Sequence, residues 1–204
     1  MSSHNAILAA TDFSAPARHA ADRAARLAHE SGAPLTLMHV VPGNAFAELR
    51  DWLGPDDATQ QRVQDDARQR LQALAAELQA RGQVAVRTVH TCGSVLDDVL
   101  IEARALDAGL VVTGAQGAGF LRRIVLGTTA ERLLRLTTVP LLVVRQRPHE
   151  RYRRVLLAVD FSPWSLQTVR LARLWAPQAA LVLLHAFQVP FGEKLRFAGV
   201  DGAT

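Results

Sequence analysis

The chain has 204 residues, of which 49% are hydrophobic and 21% are charged, so it can bury a sizeable core and is neither a disordered nor a fibrous chain. Its formal net charge is +4, but most of the arginines are interleaved with acidic residues, and the one dense cluster, Arg145 to Arg154, lies at the predicted domain junction, which argues against a nucleic-acid partner. The longest apolar runs have the length of strands, far below the roughly 18 residues that a membrane span requires.

The first 145 residues alternate between apolar strand-like runs and amphipathic helical segments. Ala6 to Ala10 is the first predicted strand. The helix that follows is expected to be capped by Ser14, to carry Pro16 in its first turn and to end at Gly32. Leu35 to Val41 is the second predicted strand. The alanines on one face of the helix predict close packing against a sheet.

The same alternation continues beyond a loop at residues 42–55. A long helix is predicted from about Asp56 to Ala80, and a third strand at Val84 to His90. Ser94 and Asp97 form a predicted capping pair at the start of a helix that runs to about Leu106.

Two more strands complete the pattern, at Leu110 to Thr113 and at Leu141 to Val144. Between them, Thr128 and Glu131 form a second predicted capping pair at the start of another helix. Continuous apolar strands separated by amphipathic helices predict an α/β fold with a doubly wound, five-stranded parallel sheet of the Rossmann-like class.

Two blocks of sequence recur in the same order. Ile7 to Ser14 matches Val155 to Ser162, and Leu35 to Val40 matches Leu181 to Ala186. The repetition predicts a complete domain at residues 1–147 and an incomplete second copy (strand, helix, strand) at residues 148–204. Such a short copy is expected to lean on the first domain, to be completed by another chain, or to belong to a longer protein. A chain that stops at Thr204 is accordingly expected to be a fragment or the product of a frameshifted gene.

The segment after the fourth strand carries the clearest chemistry. Gly114 and Gly117 remove side chains, so that backbone N–H groups can approach an anion closely. Gly127, Thr128 and Thr129 start the next helix, whose first amides are unpaired and lie at the positive end of the helix dipole. A phosphate group would satisfy both features. The alternative is that the glycines only make tight turns.

The spacing reads G-x2-G-x9-G-T and resembles the ATP-binding signature of the universal stress protein family, G-x2-G-x9-G-S/T. The resemblance extends through residues 130–134 and 139–145 and also covers Ala10 to Ser14, which looks like the first-strand turn of that family. Residues 5–145 resemble one whole family domain, and residues 153–190 resemble the opening of a second.

The resemblance implies that Asp12 is directed toward a ribose and adenine, and that Val40 contacts the adenine ring. It also implies a phosphate-binding set: Gly114, Gly117, Gly127, Thr128 and Thr129. The bound ligand is expected to be ATP, with Mg²⁺ on its phosphates, and the expected role lies in stress resistance. Gln116 stands where many relatives have histidine, which leaves nucleotide binding in place and weakens any role for an imidazole at the phosphates.

Three functions follow as alternatives. The first is a nucleotide-dependent regulatory switch with an unidentified protein partner. The second is an interaction scaffold that does not need the nucleotide, because the resemblance implies a homodimer formed through the strand Leu141 to Val144. The third is an enzyme, either a slow ATPase or an adenylate-transferring protein, for which no catalytic base is found. Gly114→Val is expected to abolish nucleotide binding while leaving assembly intact.

The remaining distinctive residues are expected to be structural. His39 and His185 are predicted to be hydrogen-bonded histidines at strand ends, and Asp160 is predicted to be structural because no phosphate loop accompanies it. The single cysteine, Cys92, is expected to be a buried or incidental thiol and excludes an intramolecular disulfide. Three tryptophans are expected to be packing residues: Trp52, Trp164 and Trp175. No metal-ligand cluster is expected, and with a polar N-terminus the chain fits a cytoplasmic protein.

Overall fold

The computed structural model describes residues 6–43, 57–115 and 127–187. The chain folds into two compact units, Met1–Arg151 and Tyr152–Thr204, each with its own sheet. Within the described ranges no helix has both the length and the apolar character needed to cross a membrane.

The first unit alternates strands and helices along the chain. Its strands are β1 (Ile7–Ala10), β2 (Leu35–Pro42), β3 (Val86–Gly93), β4 (Leu110–Gly114) and β5 (Leu141–Val144). Its described helices are α1 (Ala15–Ser31), α2 (Asp57–Gly82), α3 (Val95–Ala105) and α4 (Thr128–Leu136).

The five strands form one parallel sheet in the order β3-β2-β1-β4-β5, which confirms the predicted doubly wound α/β fold. Consecutive strands β1, β2 and β3 extend the sheet in one direction, whereas β4 and β5 lie on the other side of β1. The order therefore reverses between β1 and β4, and a crevice opens there at the carboxyl ends of the strands.

Helices cover both faces of this sheet. Side chains from the helices and from the strands together form the core. On one face α1 contacts α2, and on the other α3 contacts α4. A cluster beneath α3 and α4 contains Leu8, Met38, Val99, Val111 and Leu133, each at most 1% exposed. Complete burial of an aliphatic side chain of this size contributes about 1.5–3 kcal/mol, so this layer is a major source of stability.

Two of the three predicted helix caps are confirmed. The hydroxyl of Ser14 accepts a hydrogen bond from Ala17 N at 3.3 Å, and that of Ser94 accepts one from Asp97 N at 3.4 Å. The predicted capping pair of Thr128 and Glu131 is wrong, because α4 begins at Thr128 with Gly127 as its N-cap and has no side-chain cap.

The third strand begins and ends later than the apolar run in the sequence predicts. β3 pairs with β2 along its whole length, from Val86 beside Leu35 to Gly93 beside Pro42. Sheet pairing therefore carries the strand through polar residues that the local pattern assigned to a loop. The long helix is confirmed as α2, and residues 44–55 of the predicted loop lie outside the described residues.

The second unit contains β6 (Arg154–Ala158), α5 (Pro163–Trp175) and β7 (Ala180–Leu184). β6 and β7 are parallel, and Val155 lies beside Leu181 in the same register in which Ile7 lies beside Leu35. Trp175 is buried, as predicted, whereas Trp164 is 74% exposed, so its prediction as a packing residue is wrong. Trp52 lies outside the described residues.

Candidate functional site

A cleft of about 520 Å³ opens at the carboxyl ends of β1, β2 and β4, beside the start of α4. It is the crevice that the reversal of strand order creates. Six of the seven predicted site residues line it: Asp12, Val40, Gly114, Gly127, Thr128 and Thr129. The seventh, Gly117, lies outside the described residues, as do Gln116 and the rest of the segment up to residue 126.

Asp12 follows β1 directly and is held in a tight turn. Its Oδ1 accepts hydrogen bonds from Ser14 N at 3.0 Å and from Ser14 Oγ at 2.5 Å. Phe13, between them, has a φ of 64°, the left-handed conformation that costs a residue with a Cβ about 1–2 kcal/mol. The turn therefore fixes the direction of the Asp12 carboxylate at the expense of local strain.

His39 ties β2 to this turn. Its Nδ1 lies 2.7 Å from the carbonyl oxygen of Thr11, and its ring centroid lies 4.3 Å from that of Phe13. The predicted hydrogen bond is confirmed, but the predicted position at a strand end is wrong, because β2 continues beyond His39 to Pro42. His39 also lines the cleft, as does Thr11, and the sequence pattern assigned neither to the site.

A second histidine lies beside the first. The ring of His90, on β3, is stacked 6.0 Å from that of His39, and its buried Nε2 makes no hydrogen bond to any described residue. Burial lowers the pKa of His90 below its ordinary value, and the nearby charges of His39 and Arg68 lower this pKa further. Partial burial therefore favours the neutral imidazole.

One end of the cleft is apolar. Val40 is 6% exposed and forms part of the core as well as of the cleft wall. Met38 on β2 and the pair Val95 and Val99 on α3 continue this wall, and none of them was assigned to the site from the sequence. Val95 and Val99 are four residues apart, so they share one helix face, which was the available signal.

The other end of the cleft offers backbone donors. Gly127 N donates to Ala115 O at 2.7 Å, and the first hydrogen bond within α4 runs from Glu131 N to Gly127 O at 3.0 Å. The amides of Thr128 and Thr129 precede that bond, so the helix provides no acceptor for them. They lie at the positive end of the helix dipole together with two exposed hydroxyls, which suits an anion.

Gly114 is required for packing as well as for access to the cleft. A Cβ at this position would lie 2.8 Å from the carbonyl carbon of Pro16 and 3.0 Å from Ala17 N, both backbone atoms of α1. Gly114→Val would therefore push the end of β4 away from α1 and disturb the fold as well as the cleft, and its effect on assembly stays a prediction.

The described residues 6–43, 57–115 and 127–187 contain no group of three or more His, Cys, Asp or Glu side chains that could hold a metal ion. Cys92, on β3, is exposed, so of the two expectations, a buried or an incidental thiol, the buried one is wrong.

The second unit repeats the turn found at Asp12. Asp160 Oδ1 accepts from Ser162 N at 2.9 Å and from Ser165 Oγ at 2.6 Å, and Phe161 has a φ of 63°. His185 Nδ1 lies 2.8 Å from the carbonyl oxygen of Val159. These hydrogen bonds to Asp160 hold the pKa of its carboxyl well below the usual range. Residues 152–187 provide no counterpart of β4 or α4, so the unpaired backbone donors at the start of α4 are not repeated there.

Comparisons with known sequences identify relatives of this chain. A universal stress protein of Mycolicibacterium smegmatis is 35% identical over 167 residues, which are 78% of this chain and 55% of that protein. Universal stress protein YxiE of Bacillus subtilis is 28% identical over 147 residues, 69% of this chain and 99% of that protein. The chain thus spans about half the length of the first relative and nearly all of the second.

Solved structures share the fold. A universal stress protein from Archaeoglobus fulgidus superimposes with a TM-score of 0.72 at 18% identity, covering 97% of this chain and 73% of that one. A second, from the same organism and solved in complex with dAMP, has a TM-score of 0.52 at 18% identity and covers 70% of this chain and 99% of its own. A third, solved with cAMP, has a TM-score of 0.50 at 22% identity, with coverages of 71% and 98%.

The sequence profile of the universal stress protein family matches residues 4–145, which include the whole five-stranded sheet and every candidate residue of the cleft. From sequence and fold together, the chain belongs to the universal stress protein family.

Proposed function

We propose that this protein binds an adenine nucleotide, with ATP as the principal candidate, and acts as a nucleotide-dependent regulatory protein in the response to stress. The observation that carries the proposal is that residues predicted from distant parts of the sequence meet in one cleft. Six residues selected from separate stretches of the sequence line one cleft at the reversal point of the sheet. A cleft of this size lies within the range of about 300–1,000 Å³ that is usual for small-molecule sites.

The two ends of the cleft differ in the way that a nucleotide requires. The apolar wall around Val40 suits a base, and the start of α4 at Thr128 and Thr129 suits phosphates. Asp12 also lines the cleft, and its carboxylate can accept hydrogen bonds from ribose hydroxyls. The relatives solved with dAMP and with cAMP support the adenine nucleotide class.

Magnesium would enter with the nucleotide. The described residues supply no metal cluster, and Mg²⁺ commonly binds through phosphate oxygens, water and one or two protein groups. In this proposal the hydroxyl of Thr128 is the protein group assigned to that role. We propose a binding protein instead of an efficient enzyme, because Asp12, the one acidic side chain among the described residues that line the cleft, is assigned to the ribose.

The test is calorimetric titration of the full chain with ATP, with and without Mg²⁺, in parallel with AMP, adenosine and GTP. We expect micromolar binding of ATP, weaker binding of adenosine because the phosphate contacts are missing, and weaker binding of GTP. A folded chain that binds none of the four ligands would overturn the proposal.

We propose further that residues 148–204 are an incomplete second repeat of the same domain, following a first domain at residues 1–147. The support comes from three features within the second unit. The pairing register of β6 and β7, the Asp160 turn and the histidine contact each repeat their counterparts in the first unit. The proposal assigns the nucleotide to the first unit, where the described β4 and α4 border the cleft.

A second candidate function is assembly without a nucleotide. β5 is the edge strand of the described sheet and pairs with β4 on one side. Its first three residues, Leu141 to Val143, are only partly buried. An apolar edge strand of this kind is a ready template for pairing with a second copy. Homodimerisation through β5 would be independent of the cleft, so a protein partner could recognise the dimer whether or not nucleotide is bound.

A further inference from the structure

We infer that His39 is a positioning residue for the nucleotide site: it holds the turn that carries Asp12 and so directs the carboxylate into the cleft. The expected effect of His39 on nucleotide affinity rests on the proposed function. Its effect on the turn is independent of any ligand.

The direction of the hydrogen bond follows from its chemistry. The carbonyl oxygen of Thr11 can only accept, so the Nδ1 of His39, 2.7 Å away, carries the proton. Thr11 precedes Asp12, and Thr11 Oγ1 accepts from Phe13 N at 3.1 Å. The imidazole therefore joins the interior of β2 to the residue from which the Asp12 turn begins.

The ring of His39 also supports the strained residue of the turn. Phe13 has a positive φ, and its ring lies 4.3 Å from the imidazole. Bulky residues persist in this conformation only where their surroundings hold them there. Ser14 follows and binds Asp12 Oδ1 through both its amide and its hydroxyl. His39 thus contacts the residues on both sides of Asp12 in the turn.

The second unit provides an internal comparison. His185 bonds Val159, its ring lies 4.7 Å from that of Phe161, and Ser162 donates to Asp160, all as in the first unit. Because residues 152–187 lack a counterpart of α4, the same contacts form without a phosphate end to the cleft. The histidine contacts therefore stabilise the turn and do not depend on the start of α4. His185 consequently serves as a control in the same molecule.

The binding experiment is a double-mutant cycle on ATP affinity, using His39→Phe, Asp12→Ala and the double variant. Phenylalanine keeps an aromatic ring beside Phe13 and removes the donor to Thr11. We expect His39→Phe to weaken ATP binding about tenfold, which is the effect of about one lost hydrogen bond, and to have less than about a twofold effect in the Asp12→Ala background. An equal loss in both backgrounds, or no loss in either, would overturn the inference.

Two further variants separate positioning from packing. In His39→Asn the side-chain amide nitrogen can take the place of Nδ1, so this variant should restore most of the affinity lost in His39→Phe. His185→Phe should leave ATP affinity unchanged. If His39→Asn binds as weakly as His39→Phe, the donor is not the active feature and the inference fails.

Hydrogen exchange of the Ser14 amide, followed by NMR in the chain without ligand, tests the turn directly. This amide donates to Asp12, so loosening the turn should speed its exchange about tenfold in His39→Phe, with a matching change at Ser162 in His185→Phe. Unchanged exchange at Ser14 would overturn the inference even if ATP binding were weakened. Absence of ATP binding by the unmodified chain would overturn the proposed function and would leave this measurement to decide the inference.

Discussion

Gly114 at the end of β4 lies so close to Pro16 at the start of α1 that a Cβ on the glycine would lie 2.8 Å from the Pro16 carbonyl carbon. The obstacle is backbone, which cannot rotate away as a side chain would. One glycine thus meets two demands, the packing of a helix on the sheet and access to the cleft.

We expect Gly114→Ala to lower the free energy of unfolding by about 1–3 kcal/mol, the usual cost of overpacking, whether or not nucleotide is present. Urea denaturation of the chain without ligand measures it. Gly43→Ala is the matched control, because its new Cβ would meet nothing closer than 3.7 Å. Equal stability of Gly114→Ala and the unmodified chain would show that β4 and α1 can separate without cost.

Because Gly114 cannot report on binding alone, the two threonines at the start of α4 are better probes. Thr128→Val and Thr129→Val each remove one exposed hydroxyl and keep the branched shape. We expect each to weaken ATP binding about 3- to 10-fold, the cost of a lost hydrogen bond to a charged group, and to leave adenosine binding unchanged. An equal loss for ATP and adenosine would contradict the assignment of these residues to the phosphates.

Two neighbouring leucines of α4 test the packing of the helix that borders the cleft. Leu133 is fully buried in the core, whereas Leu134 is 57% exposed. Leu133→Ala should therefore lower the free energy of unfolding by about 2–5 kcal/mol, and Leu134→Ala by less than about 0.5 kcal/mol. Thermal and urea unfolding of the two variants measure the difference. Similar decreases in the free energy of unfolding would contradict the described packing of α4 against the core.

His90 should make stability depend on pH. Its pKa is lowered in the folded chain, mainly by burial, so the unfolded chain binds the proton first as the pH falls. The stability that neutral His90 contributes is present above the unfolded pKa of about 6.5 and is lost as the pH falls through that value toward the folded pKa. We expect His90→Gln to flatten the decline in stability between about pH 7 and pH 5. The exposed His29→Gln serves as the control, and an unchanged slope in His90→Gln would refute the role of burial.

The edge strand β5 can be tested separately from the cleft. Val143→Lys places a charge on a partly buried position of the edge and should discourage strand pairing between copies. If β5 forms a homodimer, light scattering after size-exclusion chromatography should show the variant as a monomer with unchanged ATP affinity. A variant that remains dimeric would remove β5 as the interface.

The fold was largely predictable because periodicity and capping are local signals. The apolar run from Ile7, the hydroxyl of Ser14 and the glycine at position 32, which ends α1 with a φ of 72°, each act on the residues beside them. The end of β3 was not predictable in this way. Residues up to Gly93 become strand because β2 pairs with them, and pairing depends on a segment some fifty positions earlier.

The site was predictable in part for the same reason. The family resemblance implied Asp12, and the spacing of the glycines pointed to the Gly127 to Thr129 segment. His39 enters the cleft only when the strands are aligned, and no spacing in the sequence encodes that. The prediction of Thr128 as a cap is wrong because the backbone of Gly127 is already extended, with a φ of −63° and a ψ of 150°. A helix can begin after such a glycine without a hydrogen bond from any side-chain oxygen.

The hydrogen bond from Gly127 N to Ala115 O joins the two ends of the segment 116–126. It connects one backbone to another, so substitution within the segment does not remove either partner. Two backbone atoms outside the segment therefore hold the start of α4 beside the end of β4. A substitution within residues 116–126 changes neither atom, so the position of the helix start does not depend on the side chains of that segment.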